Sequence, residues 1–389
     1  MEQTLIYILT GLFGIFFAFW LLKQPYVGIA FTAASLAIVD LLPEIPLLTS
    51  AVPLVGAITL VGYLISKRGN SLNVIFKFEQ LHIIALLFLL WIFISNPQAA
   101  WFGASRNWML TYIQLWVLMY LAGELLDTEK KQQVVMIIFS VLAIMSAFYA
   151  IQTGVIGETF DMSVRAEGFV DNSNAAARYF VVAMVFLTHL RSSAKNPVLK
   201  LFYLLGIIIT YLGVFYTVSR TGMILLFAAQ GLILFFQTEG RQRIGLIFIF
   251  IAGLVLLWFL AESIFGIIQT IIPIIINRED TFGLRINLWK AGWMMWLDHP
   301  ISGVGVGRYI EELRHYMWRL QGPRRANAVA HNTYVSILSE TGIVGFIIYI
   351  MMIVTALKKF WNAKYEVDSQ EHALRNTWLI AFLVMLIGG

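Results

Sequence analysis

Apolar runs, each about as long as a membrane crossing, follow one another along most of this chain. A helix needs about 20 mostly apolar residues to cross the hydrocarbon core, and shorter runs are tolerated. That measure predicts spans at 4–22, 26–42, 51–66, 80–95, 108–124, 133–153, 174–190, 199–218, 221–237, 243–262, 332–356 and 373–389, about twelve in all. The two runs before Pro53 are short and bounded by prolines. The last run ends at Gly388-Gly389 with no polar flank, so the chain reads as cut within or just after a span. One long segment, 263–331, interrupts the series, and in it Arg285, Trp289, Trp293 and Trp296 recur at helical spacing on one face. Tryptophan favours the membrane interface, so this stretch predicts an amphipathic helix lying on the membrane with Arg285 at its start. No repeat appears, and no two halves mirror each other as they do in many transporters. The expected fold class is an all-α polytopic membrane protein, a single domain over 1–389 with a large loop at 263–331.

Basic residues orient the bundle. Lys67, Arg68 and Lys77 share one loop, Lys130 and Lys131 another, and Arg191, Lys195 and Lys200 a third; Arg241 with Arg243, and Lys358 with Lys359 and Lys364, complete the set. These five loops alternate and are expected in the cytoplasm. The outer side then receives 96–107, 154–173, the turn at Ser219-Arg220 and 263–331, and parity places the N-terminus outside. The long loop carries eight basic residues (Arg278, Arg285, Lys290, Arg308, Arg314, Arg319, Arg324, Arg325) against five acidic ones. The positive-inside trend weakens for loops beyond about 60 residues, so the topology survives. An anionic ligand is one reason for that surplus of positive charge.

Composition narrows the classes. The 389 residues are 59% hydrophobic and 13% charged, against about 25% charged in a soluble domain, which excludes a large soluble enzyme. The chain has no cysteine, so disulfides, thiol catalysis and cysteine metal sites are excluded. The net charge of +5 is modest and lies mostly in loops, which argues against nucleic acid. No basic region precedes the first apolar run, so it reads as a retained helix rather than a cleaved leader.

Candidate chemistry gathers on the predicted outer face. Arg165, Gly168, Asn172, Ser173 and Asn174 precede a run of alanines and Arg178. Asn172, Ser173 or Asn174 can cap the helix that begins there. A helix N-terminus beside Arg165 and Arg178 is an anion site, or the stretch is only a capped loop. Ser219-Arg220-Thr221-Gly222 breaks two apolar runs with almost no loop. An arginine there needs a partner or a watery cavity, unless it snorkels to the interface. Gly303, Gly305 and Gly307 follow Asp298-His299-Pro300 with no predicted strand before them, which fits a tight turn rather than a nucleotide loop. His331-Asn332 then opens a strongly apolar helix. Glu340 follows about 13 Å deeper at 1.5 Å per residue, and Gly342 and Gly345 permit close approach of another helix. A lone histidine at a helix start is most often structural, but this one follows Arg324-Arg325, and Asn332 beside it can orient a hydroxyl or phosphate. No paired His/Asp/Glu spacing accompanies it, so no metal is expected.

His331-Asn332, nine residues, then Gly342-Ile343-Val344-Gly345 resembles the signature of the O-antigen ligase and Wzy polymerase superfamily. The blocks from Arg285 to Gly305, at Ser219–Gly222 and around Arg165–Asn174 are similar to the same family. The resemblance implies a glycosyltransferase of the GT-C type in the bacterial inner membrane, with its active site facing the periplasm. Its donor would be a glycan on undecaprenyl diphosphate, with no further cofactor. Its acceptor would be lipid A-core in a ligase or the growing polysaccharide in a polymerase. By matched motif, His331 would be the base, and Arg220 and Arg285 the diphosphate binders. Arg165, Arg325 and Asn332 would assist, with Glu340, Asn172 and Asn174 in support.

The residue chemistry agrees independently. A sugar hydroxyl must lose its proton as it attacks, and histidine, with an ordinary pKa of about 6.5, suits a base. Guanidinium forks stay charged and can hold a diphosphate leaving group bidentately. The rivals are a lipid-polysaccharide transporter or flippase, which would line a mid-membrane path with charge, and a structural membrane subunit without chemistry.

Overall fold

Three asparagines fix three helix starts. Asn172 accepts from the amides of Asn174 and Ala175, Asn196 from that of Val198 with Pro197 in the first turn, and Asn332 from those of Tyr334 and Val335. Each satisfies amides that have no partner inside their own helix. The structure is a computed structural model that describes residues 14–35, 51–68, 78–95, 103–153, 166–170, 172–237, 279–320, 328–362 and 369–389. Among these, all regular elements are helices: α1 (Gly14–Lys23), α2 (Pro25–Ser35), α3 (Ala51–Ser66), α4 (Gln80–Ser95), α5 (Gly103–Leu125), α6 (Glu129–Thr153), α7 (Ser173–Ser193), α8 (Pro197–Tyr216), α9 (Arg220–Gln237), α10 (Glu279–Asp298), α11 (Tyr309–Arg319), α12 (Thr333–Asn362) and α13 (Gln370–Gly388).

The helices fall where the apolar runs placed them. By length and composition α6, α8 and α12 can cross a membrane, while α1, Pro53–Ser66 of α3, α4 and most of α9 are apolar but shorter. This is a membrane protein; the expected twelve crossings are a larger number than meet that measure among the described residues. The predicted span 243–262 lies outside the described residues. Two elements depart from expectation. The run at 332–356 is not one straight helix, because α12 kinks at Gly342. The helix α11 had not been singled out, although Glu311 and Glu312 in its first turn and Arg319 in its last are ordinary helix-end signals.

The chain divides into two compact units. The first comprises residues up to 77, 118–249 and 364–388. Its centre is α7, which is apolar nearly all round and buried along most of its length, from Ala176 through Phe180 to Leu190. Around it stand α6, α8, α9 and α13, and α2 lies on α6. Phe180, Met184, Leu225 and Val384 are among the fully enclosed side chains of this core. The second unit comprises 78–117 and 250–363. Here α12 packs on α4 along one side and on α10 along another, and α11 closes over α10. Leu288, Ala291 and Met295 of α10 meet Leu313, Tyr316 and Met317 of α11 in one apolar cluster, while Phe88, Ile92, Met109, Val306 and Ile337 form another.

Candidate functional site

The mouth of α12 is built in the second unit. Ala330 is fully buried, His331 is exposed at φ 49, and Asn332 begins the helix as its cap. A non-glycine residue rarely holds a left-handed backbone, so the neighbours must fix it. One does so directly: the Trp289 indole donates to the Ala330 carbonyl at 2.9 Å. Gly292, one turn further along α10, brings the two helices together; a Cβ added there would lie 2.5 Å from Val335 Cγ1. Arg285 stands one turn before Trp289, about 6 Å along the helix axis. It is half-buried and makes no hydrogen bond or ion pair among the described residues. A single helix face thus carries an available guanidinium and, one turn on, the group that fastens the residue before the histidine.

Three expectations about this stretch change. Arg285 is not at the start of its helix, which begins at Glu279. The tryptophans do not share one role: Trp289 is hydrogen-bonded inward, whereas Trp293 is 53% exposed and lies against Trp296 with ring centroids 4.6 Å apart. The Asn332 side-chain oxygen, expected at a substrate hydroxyl or phosphate, is engaged in capping α12.

Glu340 is engaged by backbone amides. Gly342, at φ 67 and ψ −170, breaks the ladder of α12. The Ser339 and Glu340 carbonyls therefore accept from the amides of Val304 and Gly305, each at 2.9 Å, while the Ile343 amide donates to the Pro300 carbonyl at 2.9 Å. The Glu340 carboxylate accepts from the backbone amides of Tyr309 and Gly307, at 3.2 Å for Tyr309. Those amides lie at the start of α11, whose own cap residue, Arg308, supplies no side-chain acceptor. A carboxylate from another helix fills that place, where the helix dipole favours negative charge. Neither an arginine nor His331 is the partner seen here. The same tyrosine continues the tie, since its hydroxyl donates to the Leu288 carbonyl at 2.6 Å. Burial first, and then the nearby Glu340 charge, push the Tyr309 hydroxyl above its ordinary pKa, so it remains a donor. The glycine-rich stretch is a docking turn, as its spacing suggested. Gly345 admits a helix, with Trp91 of α4 beside it and donating to the Thr341 carbonyl at 2.8 Å. Gly342 instead admits the 300–303 turn.

Asn172, Asn174 and Arg220 belong to the first unit. Asn172 is the cap of α7. The Asn174 side-chain oxygen accepts from the Ser219 hydroxyl at 2.7 Å, and Ser219 Oγ accepts from the Gly222 amide at 3.0 Å. The starts of α7 and α9 are thereby tied, with a strained turn at Val218 (φ 48) and Arg220 exposed as the first residue of α9. Arg178 donates to the Gly388 carbonyl at 3.0 Å. Asn172 thus satisfies one helix end, and Asn174 joins two. Arg165 and Arg325 lie outside the described residues. Among the described residues no group of three or more His, Asp or Glu side chains is placed to hold a metal ion. Sequence reasoning missed the Trp289–Ala330 bond and the Tyr309 tie, because both join residues distant in sequence through backbone carbonyls that no motif marks.

Residues 205–350, less than half of the chain, match the family model described as O-Antigen ligase. The match takes in Arg220, Arg285, Trp289, His331 and Glu340, and bears out the resemblance over that segment; Arg165, Asn172 and Asn174 precede it. No curated protein matches the chain.

Proposed function

We propose that this membrane protein, similar to O-antigen ligases over residues 205–350, transfers a glycan from undecaprenyl diphosphate to an acceptor hydroxyl, and that the acceptor is lipid A-core. A ligase or polymerase type of function follows from the family match. What supports the reading is that exposed His331 opens α12 while half-buried Arg285, with no hydrogen bond or ion pair among the described residues, lies on α10, which is tied to the residue before His331 by the Trp289–Ala330 hydrogen bond.

His331 takes the proton of the acceptor hydroxyl as its oxygen forms a bond to the anomeric carbon of the donor. The bond from that carbon to the diphosphate oxygen breaks, and the electron pair leaves with undecaprenyl diphosphate. Arg285 meets the negative charge developing on that leaving group with a fixed fork of donors. Attack opposite the diphosphate inverts the anomeric centre. Arg220 is a second diphosphate binder on the family resemblance, with Arg165 or Arg325 assisting. The donor is already activated, so neither nucleotide nor metal takes part. The reaction belongs on the periplasmic side of the inner membrane, where the basic-loop pattern places the 263–331 segment.

The test is transfer by membranes supplied with a lipid-linked glycan, with and without lipid A-core. Product on lipid A-core alone is the expected result. Chain growth in its absence identifies a polymerase, which shares the donor and differs in acceptor. Movement of intact donor across liposomes with no transferred product contradicts both.

A further inference from the structure

We infer that Trp289 is a positioning residue for His331, an inference that rests on the proposed role of that histidine as base. The Trp289 indole N–H holds the Ala330 carbonyl at 2.9 Å, and that carbonyl belongs to the peptide plane leading directly into His331. The histidine itself is exposed at φ 49, and the peptide plane that leads into it is held from behind. Ala330 is fully buried in the cluster formed by Leu288, Ala291 and Tyr309, which fixes where the plane sits, and the indole fixes how the plane is turned. Trp293 on the same helix supplies the contrast: it is mostly exposed, as an interfacial anchor is. The two tryptophans therefore have different jobs on one helix. Without the N–H donor the Ala330 carbonyl can rotate, and the imidazole shifts with it. A misplacement of about 1 Å at a reacting group can cost on the order of 100-fold in rate.

The experiment replaces Trp289 with phenylalanine and, separately, with 3-benzothienylalanine, which keeps the ring shape and lacks the donor. Trp293→Phe is the control. Purified full-length protein in detergent is assayed for glycan transfer from a lipid-linked donor, and its thermal unfolding is followed. Both Trp289 replacements should lower kcat by roughly 10- to 100-fold, leave the donor KM within about twofold of the parent and unfold cooperatively. Trp293→Phe should leave kcat unchanged. Parent-like kcat in the benzothienyl protein, or equal losses at positions 289 and 293, overturns the inference. His331→Ala assayed alongside keeps the two questions apart. If it transfers at the parent rate, the base assignment itself has failed, whatever Trp289 does.

Discussion

Gly342 shows how much one residue carries. It stands at φ 67, and a Cβ there would meet the Ile301 carbonyl oxygen at 2.2 Å. With ψ at −170 the backbone lies in a region open essentially to glycine, which alone costs an alanine about 1–3 kcal/mol, and the clash adds to it, because the nearest atoms are backbone and cannot swing aside. Gly342→Ala should therefore lose at least about 2 kcal/mol, seen as a lowered unfolding midpoint, and transfer should fall with it as the 300–303 turn is forced off the kink. Gly231 is the counterexample, with nothing within 4 Å of an added Cβ. Gly231→Ala should be neutral or should stabilise α9 by about 0.5–1 kcal/mol. The sequence marked Gly342 for close approach of another helix, and it is a turn that approaches instead. It did not mark the partner, because a turn from 40 residues earlier leaves no periodic trace.

At the scale of elements, α10 and α11 behave as one piece. Their apolar faces meet, and at the rim the Arg319 guanidinium lies 2.6 Å from an Asp298 carboxylate oxygen. Hydrogen bonds from Arg319, and then from Tyr316, hold the Asp298 carboxyl below its ordinary pKa. Burial and the bond to Asp298 push the Tyr316 hydroxyl up to about 12, so it stays a donor. A depressed carboxyl pKa favours the folded state above the ordinary carboxylate range, about pH 3.9, and that contribution is lost as pH falls through the lower folded value. The ion pair is open to solvent, so the effect is small. Lowering the pH from 5 to 3 should depress the unfolding midpoint of Asp298→Asn less than that of the parent. An equal depression in the two proteins would show that the pair adds nothing. That α10 is a helix was legible in the sequence. The face it turns inward was not, because tryptophan serves equally as an interfacial anchor and as a buried donor, and only the partner decides.

For the whole molecule, the membrane class and the order of helices were legible because a bilayer imposes a length and a composition on every crossing. The kink in α12 was not, since an apolar run looks the same whether its ladder is continuous or broken. The family resemblance was legible through the spacing from His331 to Gly342, and residues 205–350 match the O-antigen ligase family as that spacing implied. The settings of Glu340 and Asn332 were legible only in part. Asn332 was expected at the substrate and Glu340 in support of the site, and both hold helix ends, Glu340 through the amides of Gly307 and Tyr309 and Asn332 through those of Tyr334 and Val335. At the mouth of α12 stands the exposed His331, and α10, whose Trp289 holds the Ala330 carbonyl, carries Arg285, which makes no hydrogen bond or ion pair among the described residues. The most direct test is single-turnover transfer from a radiolabelled lipid-linked glycan by purified His331→Ala. With unfolding behaviour matching the parent, the rate should fall by at least about 100-fold, within the range a general base supplies. Transfer at the parent rate by that well-folded variant would contradict the account.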